Sequence, residues 1–270
     1  MKIHAFGCAG LIAGVFASQQ FGRQTDRQFL LAAKVNAAQV RTNDPDWQQA
    51  KAEIYSSQNM LSGRMGALKN PDMRKSVLRM GSSRGREIAL TFDDGPHPKY
   101  TDQLLKILKQ EGVPATFFVV GFMAEKYPDL VRSIKSSGHE IGNHTYSHVT
   151  LTKLSSEQVL TEYRANNDVI YRLTGTRARY CRPPGGDFNG DVLRDAALLG
   201  LTTVLWTDDP GDYANPGDDI LYEREVEKLD SGAIILLHDG SQNTLDTLSK
   251  FIRAAKRDGY KFVTLDRLRD

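Results

Sequence analysis

From Glu87 onward the chain alternates between short apolar runs and amphipathic segments. The runs are Ile88–Phe92, Ala115–Val120, Glu140–Asn143, Ala178–Arg182, Thr202–Trp206, Ala233–Leu237 and Lys261–Leu265. They are short and rich in β-branched or aromatic residues, as strands buried on both faces are. Between them lie helix signals. Ser155 and Gln158 form a capping-box pair, and Val159, Tyr163, Ile170 and Leu173 follow at helical spacing. Asn166 interrupts that stripe, and Gly175 supplies a stop. Leu245, Leu248, Ile252 and Ala255 make a second stripe ended by Gly259. Thr101 opens a third, through Leu104, Leu105, Ile107 and Leu108 to Gly112. Seven strands alternating with six helices predict a parallel α/β fold, either a barrel or an open doubly wound sheet. No glycine-rich phosphate loop follows the first strand, which counts against nucleotide binding.

Upstream the texture differs. Lys2 precedes an apolar run from Ala5 to Ala17, too short to span a bilayer and ending in small residues. Residues 1–17 therefore read as a signal peptide, and the protein as exported. Residues 18–85 read as a polar arm, either helical or partly disordered, with Gly81-Ser82-Ser83-Arg84-Gly85 as a linker. The folded domain is expected over residues 86–268. At 270 residues, with 40% hydrophobic and 25% charged residues, the chain has ordinary globular composition. Its 35 Lys and Arg against 33 Asp and Glu leave no basic excess to recruit nucleic acid. Two cysteines, Cys8 and Cys181, make neither a disulfide framework nor a four-cysteine zinc site.

The chemistry gathers just after the strands. Asp93-Asp94-Gly95-Pro96 follows the first, His144 and His148 the third, and Arg182-Pro183-Pro184-Gly185-Gly186 the fourth. Asp209 and Asp212 follow the fifth, and His238 ends the sixth. In a parallel barrel the C-terminal strand ends form the catalytic face. Two histidines four apart with a carboxylate make a metal set with an open position for water. Asp93 and Asp94 leave their strand in different directions, so one can ligate while the other acts as a base. His238 suits a general acid. Arg182 suits an orienting partner for Asp93, with Asp209 or Asp212 steadying Arg182 or His238.

The segments Thr91-Phe92-Asp93-Asp94-Gly95-Pro96, His144-Thr145-Tyr146-Ser147-His148, Arg182-Pro183-Pro184, Asp209-Pro210-Gly211-Asp212-Tyr213 and Leu236-Leu237-His238 occur in this order. Together they resemble the five motifs of the polysaccharide deacetylase family, the NodB-type proteins or carbohydrate esterase family 4, over about Glu87 to Leu268. The resemblance implies a deformed parallel (β/α) barrel of about seven strands. It further implies removal of N-acetyl groups from amino sugars with a divalent metal, usually zinc, with cobalt or nickel as alternatives. By matching position, Asp94, His144 and His148 would ligate the metal. Asp93 would be the general base, His238 the general acid, Arg182 the brace of Asp93 and Asp212 the partner of His238. The Gly185 N–H would face the oxyanion, and Tyr213 would wall the acetyl pocket.

Two positions depart from the family pattern. Gly185 stands where an aromatic residue is frequent, and Tyr213 where a tryptophan is. The expected partner is an N-acetylated glycan, peptidoglycan or chitin-like, with no nucleic acid and no stable protein partner. Rival readings are an acetyl-ester hydrolase on xylan, a hydrolase of small non-sugar amides, and a catalytically silent carbohydrate-binding domain of the same fold.

Overall fold

The computed structural model describes residue 68 and residues 74–82, 85–227 and 229–269. The expected signal peptide and most of the expected arm lie outside these residues. The strands are β1 (Val77–Leu78), β2 (Glu87–Asp93), β3 (Thr116–Val119), β4 (Glu140–Asn143), β5 (Tyr180–Cys181), β6 (Thr202–Val204), β7 (Ile234–His238) and β8 (Lys261–Phe262). The helices are α1 (Thr101–Glu111), α2 (Gly121–Lys126), α3 (Pro128–Ser136), α4 (Ser156–Thr174), α5 (Gly190–Leu198), α6 (Asp218–Glu227), α7 (Gln242–Arg257) and α8 (Leu265–Arg269).

Every strand pair is parallel, in the order β1-β6-β5-β4-β3-β2-β7, with β8 against the start of β2. The two ends of this path meet. Just beyond β6, Asp208 bridges Ile235 of β7, with Thr207 N donating to Ile234 O at 3.0 Å and Leu236 N to Asp208 O at 2.9 Å. At the base β1 wedges into the same seam. It pairs with β6, and Gly81 N donates to Gly232 O at 2.8 Å just ahead of β7. The sheet is thus the expected barrel, deformed because one seam is closed partly by a two-residue strand and partly by a single bridge.

Alternation along β2 sorts the core. Ile88, Leu90 and Phe92 face outward into a cluster with Leu104, Leu108, Leu248 and Phe251 from α1 and α7. Ala89 faces inward, with Phe118, Tyr180, Val204, Ile234 and the plug residues Leu265 and Leu268 of α8. Thr91 and Asp93 continue the inward face toward the barrel mouth, so the interior is apolar at the base and polar at the top.

The helix ends follow the sequence signals. Ser155 Oγ accepts from Gln158 N, the Gln158 side chain returns to Ser155 N at 3.0 Å, and Gly175 closes α4 in the left-handed region. The run Lys261–Leu265 divides instead. Only two residues pair as β8, and Leu265 starts α8, which caps the barrel base.

The stretch read as arm and linker contains part of the barrel. Val77 and Leu78 are in the sheet, and a Cβ on Gly81 would lie 2.4 Å from Leu268 Cγ, so the chain passes tightly over the plug. Two residues with incomplete apolar periodicity give too little pattern to register as a strand. A chain beginning at residue 81 is therefore expected to unfold at a lower temperature than one beginning at residue 74. Differential scanning calorimetry on the two proteins checks this, and equal midpoints would contradict a structural role for β1.

Candidate active site

At the barrel mouth, β2 ends on Asp93 and β7 on His238, and the register pairs these two residues directly. Asp93 is buried, and its Oδ1 accepts from Arg182 Nη1 at 2.7 Å. Arg182 has no exposed surface. Its Nη1 also donates to Thr91 Oγ1 at 2.9 Å, its Nε to Val204 O at 3.2 Å and its Nη2 to Leu205 O at 3.3 Å. The guanidinium lies 4.3 Å from the Phe118 ring centroid and 5.6 Å from that of Trp206, so aromatic faces help replace its lost hydration. Burial pulls Arg182 below the usual guanidinium range, and the Asp93 carboxylate opposes that pull.

Asp94 turns away from the strand direction at φ 71°. Its Oδ1 lies 3.4 Å from His144 Nε2 and 2.9 Å from His148 Nε2, and one ligand atom from each of the three lies within 4.8 Å of the others. His144 Nδ1 sits 2.7 Å from Arg182 O. A carbonyl can only accept, so Nδ1 carries the proton and Nε2 presents its lone pair toward Asp94. That buried Nε2 makes no hydrogen bond among the described residues. Two imidazoles and a carboxylate converging this way fit a divalent cation of the zinc type.

The structure brings His238 and Asp212 together. His238 Nδ1 is 2.7 Å from Asp212 Oδ1, and the His238 backbone N donates to Asp212 Oδ2 at 2.8 Å. Burial alone would lower the imidazole pKa. The charge of Asp212 and its hydrogen bond outweigh that, with help from Asp94 and Asp93, and lift it to about 9. Asp209 instead accepts from Gly211 N at 3.1 Å in the turn. Tyr213 stands edge-on to His238, with centroids 5.5 Å apart. Gly185 is buried and left-handed at φ 59°, a conformation that costs a side chain-bearing residue. Gly186 is also left-handed, and a Cβ there would lie 2.4 Å from Trp206 Cη2. Cys181 is buried, and burial pushes its thiol up to about 12, so it supplies no nucleophile at neutral pH.

Several participants were not apparent from the sequence. Thr244 Oγ1 donates to Asp212 Oδ2 at 2.6 Å, and Thr101 Oγ1 donates to Asp239 Oδ2 at 2.6 Å beside the Asp93–Pro96 turn. Threonine inside a helix pattern carries no distinguishing signal. Thr91 was detectable, because it lies two residues before Asp93 on the same face.

The profile of the polysaccharide deacetylase family matches residues 81–204. A peptidoglycan-N-acetylglucosamine deacetylase of Bacillus cereus is 40% identical over 186 residues, covering 67% of this chain and 87% of that protein. A chitooligosaccharide deacetylase of Sinorhizobium fredii is 37% identical over 174 residues, 64% of this chain and 80% of that one. Among solved structures, a family 4 carbohydrate esterase described as a pseudoenzyme, from Bacillus anthracis, is 30% identical. It superposes with a TM-score of 0.69 over 72% of this chain and 69% of that one. This chain belongs to the polysaccharide deacetylase family.

Arg182→Leu is expected to lower the unfolding free energy by about 3–5 kcal/mol, because it leaves Asp93 buried without its partner. Adding Asp93→Asn should recover part of that loss by removing the uncompensated charge. Urea titration of the native, single and double variants checks this. A single variant as stable as native would contradict the account.

Proposed function

We propose that this chain hydrolyses the acetamide of N-acetylglucosamine units in a peptidoglycan or chitin-like glycan, releasing acetate and a free amine. The observation that carries the reading is the pairing of Asp93 and His238 across β2 and β7 beside the Asp94, His144 and His148 cluster. Each member of the pair is held by its own buried partner, Arg182 or Asp212. Asp94, His144 and His148 would hold a divalent cation, by donor type zinc. When bound, it polarises the acyl oxygen and lowers the pKa of water.

The chain's own residues divide the remaining work. Asp93 Oδ1 is tied to Arg182, which leaves Oδ2, 3.8 Å from His144 Nε2, to take the proton of an attacking water. The developing oxyanion would meet the Gly185 N–H. Nitrogen leaves as an amine only when protonated. His238, kept charged at neutral pH by Asp212, donates from Nε2 while Nδ1 stays on the carboxylate. Tyr213 packs at the acid and would flank the acetyl methyl group.

A silent member of the fold is the second reading, because a structural relative is described as a pseudoenzyme. Fold alone does not give activity. In this chain the base, the acid, both braces and the three-residue cluster are all present in one mouth, and a binding domain has no use for the first four. The apolar stretch from Ala5 to Ala17 supports export toward the cell wall or exterior. Among the described residues no helix is long and apolar enough to cross a membrane.

The test is acetate release from peptidoglycan, chitooligosaccharides and acetylated xylan, before and after chelation. Release from the N-acetylated glycans is expected, lost on metal removal and restored by zinc or cobalt. Full activity in a verified metal-free preparation would sink the mechanism. Asp93→Asn should keep metal binding while reducing kcat by ~10² or more.

The pH dependence follows from His238. Its pKa is raised to about 9, so the proton it must donate is lost as pH rises through that value. kcat/KM is expected to fall on an alkaline limb at or somewhat below pH 9, because a cation at Asp94 offsets part of that residue's pull. His238→Ala should remove the limb and slow amide hydrolysis more than hydrolysis of an activated acetate ester. Equal slowing of both substrates, with folding and metal content unchanged, would assign His238 to architecture instead.

A further inference from the structure

The five residues 144–148 that carry both imidazoles are bent in a way the sheet does not impose. Thr145 and His148 have φ of 64° and 55°, in the left-handed region that β-branched and bulky residues avoid. Such backbone persists only where its surroundings over-determine it. Here one turn of α4 does so. Glu162 is buried, and its Oε2 accepts from Tyr146 N at 2.9 Å and Ser147 N at 2.7 Å, two of the three peptide N–H groups of the residues between the imidazoles. Four residues on, on the same helix face, Asn166 is fully buried. Its Nδ2 lies 2.8 Å from Thr145 O, 2.8 Å from Val119 O and 3.0 Å from Asn143 Oδ1. Asn143 Oδ1 in turn accepts from Thr145 N at 2.9 Å.

This explains the break in the apolar stripe of α4. A core helix would carry leucine or alanine at these positions. A buried carboxylate and a buried amide are costly unless hydrogen-bonded, and here the carboxylate and the amide nitrogen are bonded to the backbone of the histidine loop. Their hydrogen bonds go to the loop backbone, to Val119 O and to Asn143 Oδ1.

We propose that Glu162 and Asn166 are positioning residues for metal affinity: from α4 they hold the peptides of residues 145–147 and so set the separation and aim of His144 and His148. The inference rests on the metal-site reading above. Glu162 acts as an acceptor for two N–H groups, so its oxygen geometry matters rather than its charge.

The experiment measures zinc affinity of the full chain by competition with a chromophoric chelator, together with the visible spectrum of the cobalt form. Glu162→Gln keeps a carbonyl oxygen for the same two donors and is expected to stay within about threefold of native affinity. Glu162→Ala is expected to raise the zinc Kd by about 10- to 100-fold, the usual cost of losing a group that orients a ligand, and to shift the cobalt d–d bands. If Glu162→Ala does not fold, Asn166→Ser, whose shorter side chain gives up the contact to Thr145 O, takes its place with the same expected rise. Native affinity and an unshifted cobalt spectrum in the folded alanine or serine variant would overturn the proposal. A glutamine variant as weak as alanine would do the same, by showing that acceptor geometry is not what matters. Failure of the native chain itself to bind zinc or cobalt would instead count against the metal site.

Discussion

The site depends on one buried cation. Arg182 carries its guanidinium into the barrel, where a bare charge would be prohibitively costly. Every direction around it is answered: Asp93 and Thr91 on one side, the Val204 and Leu205 carbonyls on another, Phe118 and Trp206 at its faces. Its backbone works as well. Arg182 N donates to Asn143 O at 3.0 Å, which docks β5 to β4, and Arg182 O fixes the tautomer of His144. A single residue thus aims the candidate base and fixes the tautomer of a candidate metal ligand. Lysine could not substitute, having no planar fork to reach a carboxylate, a hydroxyl and two carbonyls together.

What could be read in the sequence is what repeats or clusters. The buried run Ile88–Phe92 announces a parallel strand, and titratable residues at successive strand ends announce the catalytic face. The motifs picked out Asp93, Asp94, His144, His148, Arg182, Asp212 and His238, and the structure gathers all seven at one mouth. The boundary of the barrel was less legible. Val77 and Leu78 enter the sheet through two residues whose neighbours have no alternation, so nothing local marks them as a strand. The seam closure at Asp208 was hidden for the same reason: a single bridge has no period.

Strain marks the places where local rules give way to function. Asp94, Thr145 and His148 are three of the four non-glycine residues with positive φ among the described residues. All three belong to the candidate metal ligands or the loop between them. Left-handed backbone lets adjacent residues project side chains at angles a regular strand or helix cannot offer. The cost is met elsewhere, by polar groups buried in α4 and by the turn around Asp239. A Cβ on Gly95 in that turn would lie 2.3 Å from Asp239 Oδ2, so only glycine allows the approach. The break at Asn166 in an otherwise apolar stripe was the one visible trace of this arrangement in the sequence.

Electrostatics then connects the fold to the reaction. The mouth sets the carboxyl groups of Asp93, Asp94 and Asp212 against the guanidinium of Arg182 and the imidazole of His238, which Asp212 helps keep charged at neutral pH. Behind them burial, with Asp212 and Asp208 nearby, pushes Glu225 up to about 8, so that its carboxyl is mostly protonated and adds little negative charge. Burial also pushes Asp239, beside the Asp93–Pro96 turn, up to about 7. Carboxyl groups thus outnumber cations around the Asp94, His144 and His148 cluster, which would favour a cation there. A divalent ion held by Asp94, His144 and His148 would bring positive charge into a cleft whose walls are buried and poorly screened. An oxyanion forming beside it would be attracted, while the acyl group of the ground state, being neutral, would not. That difference between ground and transition state is what accelerates a hydrolysis.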